Sequence, residues 1–284
     1  MAHEPVKITV LADYEASDGL DTEHGFSAWV EIGSRRILFD TGQTGVAQAN
    51  AARLGIDFGS AGSLVLSHGH FDHTGTLPQF LDANATARVY FARGLPIERY
   101  SCKLGTPVRS IGMPDASRQA LSGLPSARLY ELGKARYLAP GIGITGPVPR
   151  QTAFEDVGGP FFLDADSIAP DPIDDDQSMW FETERGLVIL LGCCHAGVVN
   201  TVEHIRMISG IRKVRGIVGG MHLVNADRKR LDCTFGEMAD WSPEFLVPCH
   251  CTGADAVERM EHVLGGAVSR GGAGRTIYAG NLRF

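Results

Sequence analysis

No stretch of the 284 residues approaches the roughly 20 consecutive apolar positions of a membrane helix. There is no block of lysine or arginine either. With 33 acidic against 26 basic side chains, the formal charge is -7. Nucleic-acid binders neutralise phosphates with clustered cations, so that class is disfavoured, although a local basic pocket is not. Cysteine is sparse. Of the six, Cys193 and Cys194 are adjacent, and Cys249 and Cys251 flank His250. Adjacent cysteines rarely bridge each other, and a chain of this length buries a core without staples. Two readings of the thiols stay open, as reduced buried side chains or as metal ligands. Internal repeats and low-complexity segments are absent. The opening MAHEPVKITVLAD leads directly into a strand-like run without a signal-peptide pattern, so a cytoplasmic protein is expected.

What is present is an alternation of short apolar runs and amphipathic stretches. Val6–Leu11, Phe26–Ile32, Arg36–Phe39, Ser63–Leu66 and Arg88–Phe91 read as strands, rich in Val, Ile and Leu. So do Met179–Glu182, Leu187–Leu191, Gly216–Val218 and Phe245–Val247. Val46–Leu54, Val198–Ile208 and Ala254–Leu264 carry helical spacing, with Gly55 and Gly265 as stop signals. Mixed strands and helices predict an α/β fold. Residues 94–172 hold most of the prolines, which break helices and central strands. This stretch is expected to be a loop-rich insertion with short strands inside a single domain spanning 1–284, placed to build the substrate side of a site.

The ten histidines are not evenly spread. Ser67-His68-Gly69-His70-Phe71-Asp72-His73-Thr74-Gly75 puts three imidazoles and a carboxylate within six positions, just past the apolar Leu64-Val65-Leu66. Nitrogen and oxygen ligands together suit zinc or another transition metal. His68 and His70 share one face of an extended segment, and a turn into a helix would bring Asp72 and His73 round.

This HxHxDH pattern, with Leu38-Phe39-Asp40-Thr41-Gly42 ahead of it, resembles the metallo-β-lactamase-fold hydrolases. The resemblance implies a four-layer αββα sandwich. It makes Asp40 a residue that holds a metal-binding histidine ring in orientation. It implies one or two divalent ions, zinc first, with manganese or iron as alternatives. His250, in Pro248-Cys249-His250-Cys251, takes the position of the family's last motif and would bind the second ion with Asp72 and His73. If that segment is extended, Cys249 and Cys251 point away from the ion.

The fit loosens in the middle. The family usually supplies a further histidine between the HxHxDH segment and a later aspartate, and no histidine lies between His73 and His195. Three substitutes stay open as ligands: His195, Cys193 in Gly192-Cys193-Cys194-His195, and the acidic Asp174-Asp175-Asp176, which reads equally as a solvated loop. Cys194 reads as an inert buried thiol. His222, in Gly219-Gly220-Met221-His222, resembles a histidine that contacts substrate or donates a proton. Asp72 would take the proton of the attacking water. His24 reads either as a residue at the mouth of the site or as a histidine of a surface loop. His3, His204 and His262 read as solvated surface residues. Arg93, Arg99, Lys103 and Arg109 read either as surface charge or as contacts for a phosphate or carboxylate.

The combination GCCHAG, GGMHL, PCHCTG and EHGFS is similar to the subgroup named for 7,8-dihydropterin-6-methyl-4-(ribofuranosyl)aminobenzene-phosphate synthase. The implied activity is metal-dependent hydrolysis or a related transfer on a small, phosphorylated or pterin-like molecule, with no nucleic-acid or membrane partner. The rivals are a nuclease-branch phosphodiesterase and a protein that kept the fold and the metal but not the chemistry. A nuclease is disfavoured by charge. An oxygen-reducing di-iron protein is disfavoured by His70, where that branch carries glutamate.

Overall fold

Val188 and Leu190 turn to one side of their strand, and Leu187, Ile189 and Leu191 to the other. That two-residue period, with both faces apolar, requires cover on both sides of the sheet. The computed structural model, which describes residues 5–283, supplies it. Along the chain come β1 (Pro5–Ala12), β2 (Ser27–Ile32), β3 (Arg35–Phe39), α1 (Val46–Arg53), β4 (Ser63–Val65), α2 (Phe71–Thr74), α3 (Leu77–Ala83) and β5 (Arg88–Ala92). Then follow β6 (Tyr100–Ser101), β7 (Arg109–Ser110), α4 (Asp115–Ser122), β8 (Leu129–Leu132), β9 (Arg136–Ala139), β10 (Ile142–Ile144) and β11 (Phe161–Phe162). The last part holds β12 (Met179–Thr183), β13 (Gly186–Leu191), α5 (Val198–Ser209), β14 (Val214–Gly220), α6 (Arg228–Trp241), β15 (Phe245–Cys249), α7 (Ala254–Leu264) and β16 (Thr276–Asn281).

Seven strands form one sheet in the order β16-β1-β2-β3-β4-β5-β8, and six form a second in the order β15-β14-β13-β12-β10-β9. Three apolar layers separate four structural layers. Val6, Ile8, Phe39, Phe181, Val188 and Val218 fill the space between the sheets. Trp29, Leu38, Leu64, Ala51, Phe80 and Leu121 join the first sheet to α1, α3 and α4. Ile189, Leu191, Val202, Phe235, Trp241 and Met260 join the second to α5, α6 and α7. Each fully buried aliphatic side chain adds about 1.5–3 kcal/mol, so the layers hold each other in place. The fold is the four-layer αββα sandwich expected.

The proline-rich stretch 94–172 contains two kinds of structure. β11-β6-β7 make a small separate sheet, while β8 pairs in parallel with β5 and β10 pairs antiparallel with β12. The strands β8, β9 and β10 within this stretch therefore belong to the two main sheets. Among the described residues no helix is long and apolar enough to cross a membrane. His3 lies outside the described residues.

Candidate metal centre

Parallel strands release their chains at one end, and the chemistry collects there. β3, β4, β5 and β8 run parallel in the first sheet, as do β13, β14 and β15 in the second. Asp40 follows β3, the His68–His73 segment follows β4, Cys193 and His195 follow β13, His222 follows β14, and His250 follows β15. His70 is extended (φ -79, ψ 151) and begins the single turn of α2. That turn carries Asp72 and His73 back to the same centre.

Among the described residues, several overlapping sets of donors converge. His68, His70 and His195 form one trio, and Asp72, His73 and His250 another. Cys193 groups with His68 and His73, and also with His195 and His222. Within each group the ligand atoms lie within 4.8 Å of one another, and all are buried. His73 Nε2 is 3.1 Å from Cys193 Sγ, and His68 Nε2 is 3.0 Å from His70 Nδ1.

Acceptors on the outer side fix the tautomers. His73 Nδ1–H donates to Asp40 Oδ2 at 2.7 Å, because a carboxylate only accepts. The Ser67 hydroxyl donates to the same oxygen at 2.7 Å, so it accepts from His68 Nδ1–H at 2.9 Å. His195 Nδ1–H donates to the Val157 carbonyl at 2.8 Å. In each ring Nε2 is left with its lone pair facing inward. The Nε2 atoms of His70 and His195 are buried without any partner, which is costly unless something binds there. Burial, reinforced by neighbouring imidazoles, pushes His68, His70 and His195 well below the ordinary imidazole value, so they are neutral, the form that takes a metal. This donor set fits a divalent transition ion.

Asp72 carries the charge at the other trio. Burial alone would raise its carboxyl, but His73 and His250 outweigh it and hold it well below the carboxylate range. Its Oδ2 is 3.2 Å from His250 Nε2 and 3.4 Å from His24 Nε2. Burial opposes a charge on His250 as well, yet Asp72 overcomes this and lifts it to about 9. A metal would displace that proton.

Of the three substitutes for the missing ligand, both His195 and Cys193 stand among the converging donors, His195 beside His68 and His70 and Cys193 beside His68 and His73. His195 is packed against His68 and His70, with ring centroids 4.8 and 4.9 Å apart. The acidic run does something else. Asp175 is buried against Arg99, whose guanidinium reaches both its oxygens at 2.8 and 2.6 Å, and it accepts the Gly69 N–H at 2.8 Å. Asp176 accepts from Ala196 N at 2.9 Å, and burial lifts its pKa to about 7. Neither joins a ligand group, and neither is solvated; only Asp174 is exposed. Arg99 is likewise not surface charge, since burial between Asp171 and Asp175 claims it.

The cysteines divide. Cys249 is buried between the sheets and points away from the centre, with its thiol towards the Val247 carbonyl. Cys194 packs on the α5 side against Thr201. Cys251 departs from the expectation. His250–Thr252 is a 3-10 turn, not an extended segment, and His250 has φ 49, so Cys251 swings inward to group with Cys193 and His250. Burial raises the Cys193 thiol. It opposes ionisation of Cys251 too, but the Cys193 thiol, His222 and His250 around it pull Cys251 well below the ordinary thiol value.

The centre opens into a cavity of ≈ 640 Å³ lined by Tyr14, His24, Phe161, His222 and, further out, Lys103 and Arg109. His24 is half exposed at the mouth, bonded to the Tyr14 hydroxyl and stacked on Phe71. Tyr14 stacks on His250 at 5.1 Å. His222 is buried 4.2 Å from the His195 ring, and its Nδ1 has no partner. Arg93 is exposed beside Glu131, away from the cavity lining. His262 is exposed, whereas His204 is half-buried with Nε2 3.4 Å from the Thr145 carbonyl. Sequence reasoning passed over Ser67, Asp13, Tyr14 and Phe161, and turned Cys251 the wrong way. Asp13 has a legible signal, since it follows β1 as Asp40 follows β3, and it accepts from His250 N at 2.8 Å.

Comparison with known proteins bears on this arrangement. Residues 20–202 match the family model of the metallo-beta-lactamase superfamily. An uncharacterised protein of Methanocaldococcus jannaschii is 29% identical over 260 residues, covering 90% of this chain and 94% of that one. The 7,8-dihydropterin-6-methyl-4-(beta-D-ribofuranosyl)-aminobenzene-5'-phosphate synthase of the same organism is 29% identical over 268 residues, covering 88% and 89%. A crystal structure described as a metal-dependent hydrolase of the beta-lactamase superfamily superposes with TM-score 0.80 at 26% identity, covering 97% and 100%.

Proposed function

The chain belongs to the metallo-beta-lactamase superfamily, and from that premise we propose a metal-dependent hydrolase, or related transferase, acting on a small phosphorylated or pterin-like molecule. The observation that carries the reading is the pair of buried trios, His68/His70/His195 and Asp72/His73/His250, with Cys193 between them. These residues would hold one or two ions, zinc in first place and manganese or iron as alternatives. When bound, such an ion supplies Lewis acidity and lowers the pKa of water from about 15.7 to roughly 7.

The chain's own groups do the rest. Asp40 and Ser67 keep the rings of His73 and His68 in one tautomer and orientation. Asp72 stays ionised at neutral pH and accepts the proton of the attacking water. His222 lines the cavity and donates to the leaving group. His24 and Tyr14 grip the substrate at the mouth, and Lys103 and Arg109 attract its anionic part. Phe161 walls the cavity over His195 and limits water entry. The volume suits a small ligand, for which about 300–1,000 Å³ is usual. The relative named as a synthase supports a pterin-like or phosphorylated substrate, and a transfer as readily as a hydrolysis.

The test is elemental analysis of the purified full chain, followed by assays on phosphomonoesters, phosphodiesters, pterin phosphates and lactones. Bound transition metal, with turnover lost on chelation and restored by zinc or manganese, is expected. No bound metal and no gain on adding it overturns the reading. A metal-loaded protein that binds these compounds without turnover makes it a binding protein instead.

A further inference from the structure

Among the described residues, Cys251 faces inward at the centre and has no task assigned above. Its position is built rather than accidental. The 3-10 turn at His250–Thr252 is fastened on three sides: Asp13 accepts from His250 N at 2.8 Å, Thr252 Oγ1 donates to the Cys249 carbonyl at 2.7 Å, and Met221 N donates to Thr252 Oγ1 at 3.2 Å. Gly220 makes room for the sulfur, since a Cβ there would lie 2.7 Å from Cys251 Sγ. Both Cys193 and Cys251 are buried and line the cavity. The two sulfurs and a His250 nitrogen lie within 4.8 Å of one another. Beside them His222 is buried with Nδ1 unpartnered.

Charge balance gives these sulfurs a role. Two divalent ions would bring four positive charges into a buried site. The imidazole ligands are neutral when they bind metal, and among the described residues Asp72 is the single carboxylate in the ligand groups. Buried charge left uncompensated is costly. Two thiolates would offset half of it.

Resting on the metal-centre reading above, we propose that Cys251 is a metal ligand alongside Cys193, giving the ion at His250 two sulfur donors. The centre then prefers thiophilic ions such as zinc, cobalt(II) or iron(II) over manganese or magnesium, because soft thiolates favour them.

Cobalt(II) loading of the full chain tests this, because cobalt reports sulfur ligands through a near-ultraviolet charge-transfer band and reports binding through separate visible bands. The wild type is expected to show the intensity of two thiolates. Cys251→Ser and Cys193→Ser should each lose about half of it, and Cys251→Ser should lose zinc-over-manganese preference about 10-fold. An unchanged charge-transfer band in Cys251→Ser overturns the proposal. Should that variant fail to fold, a wild-type band of one-thiolate intensity overturns it equally. Visible cobalt bands with no sulfur band refute the thiolate pair and leave the hydrolase reading standing. No cobalt uptake at all refutes both.

Discussion

Arg99→Met isolates the buried ion network beneath the metal-binding segment. Arg99 is 1% exposed, and it donates to Asp171 at 2.8 Å and to both oxygens of Asp175 at 2.8 and 2.6 Å. Asp175 also accepts the N–H of Gly69, between His68 and His70, and a Cβ at Gly69 would strike the Leu95 carbonyl. Removing one partner of a buried pair costs about 3–5 kcal/mol, and here two carboxylates are stranded, so the upper part of that range is expected. A domain's whole stability is about 5–15 kcal/mol. The pH dependence follows from Asp175. Burial already raises its pKa, with Arg99 pulling the other way. Without Arg99 it rises further, so the folded variant binds a proton that the unfolded chain has released. Its deficit therefore grows as pH rises from about 4 and shrinks as pH falls. Urea midpoints at about pH 5 and pH 8, compared at constant m, measure both effects. The apolar triple Arg99→Met, Asp171→Leu, Asp175→Leu should recover part of the loss, keeping about 1–3 kcal/mol for each of the orphaned Gly69 and Ile173 N–H groups. A single-variant deficit under about 1 kcal/mol, or one that does not change with pH, refutes the reasoning.

Asp40→Asn should weaken zinc binding by about 10–100-fold, because an amide cannot hold the His73 ring and the Ser67 hydroxyl as the carboxylate does; competition against a chromophoric chelator reads it. His222→Gln should lower kcat by about 10²–10⁴-fold with metal content unchanged, and an unaltered kcat excludes His222 as proton donor. Asp176, lifted by burial to about 7, binds a proton in the folded state that the unfolded chain loses near pH 4; stability should fall between those values as pH rises, and Asp176→Asn should flatten that slope in denaturation curves.

The strands and the ring of histidines were legible because both depend on local pattern. Leu187–Leu191 announces a doubly covered strand by being apolar throughout, and the HxHxDH segment places four donors by spacing alone. What was not legible depends on a single backbone angle or on distant partners. His250 at φ 49 turns Cys251 inward, and nothing in the letters PCHCTG distinguishes that turn from an extended end. Asp174, Asp175 and Asp176 read alike, yet a guanidinium 76 positions from Asp175 separates them. Leu129–Leu132 and Ile142–Ile144 are too short for periodicity, and only their pairing with β5 and β12 makes them strands. α6 hid because its first turn is Arg228, Lys229 and Arg230, which reads as a charged loop until Asp227 is seen capping it.

The pairing of β1 with β16 has a practical consequence. The strands are antiparallel, with Pro5 beside Asn281 and Thr9 beside Thr276. β1 leads away from Pro5 to Asp13 at the cavity, so Pro5 and Asn281 share the opposite end, about 25 Å from the chemistry at a strand's rise per residue. A fusion partner or a surface tether attached at either point would leave the mouth at His24 and Tyr14 open to solvent. A short linker joining the two would allow the chain to be cut elsewhere, for instance in the exposed turn around Leu104, and still close both sheets.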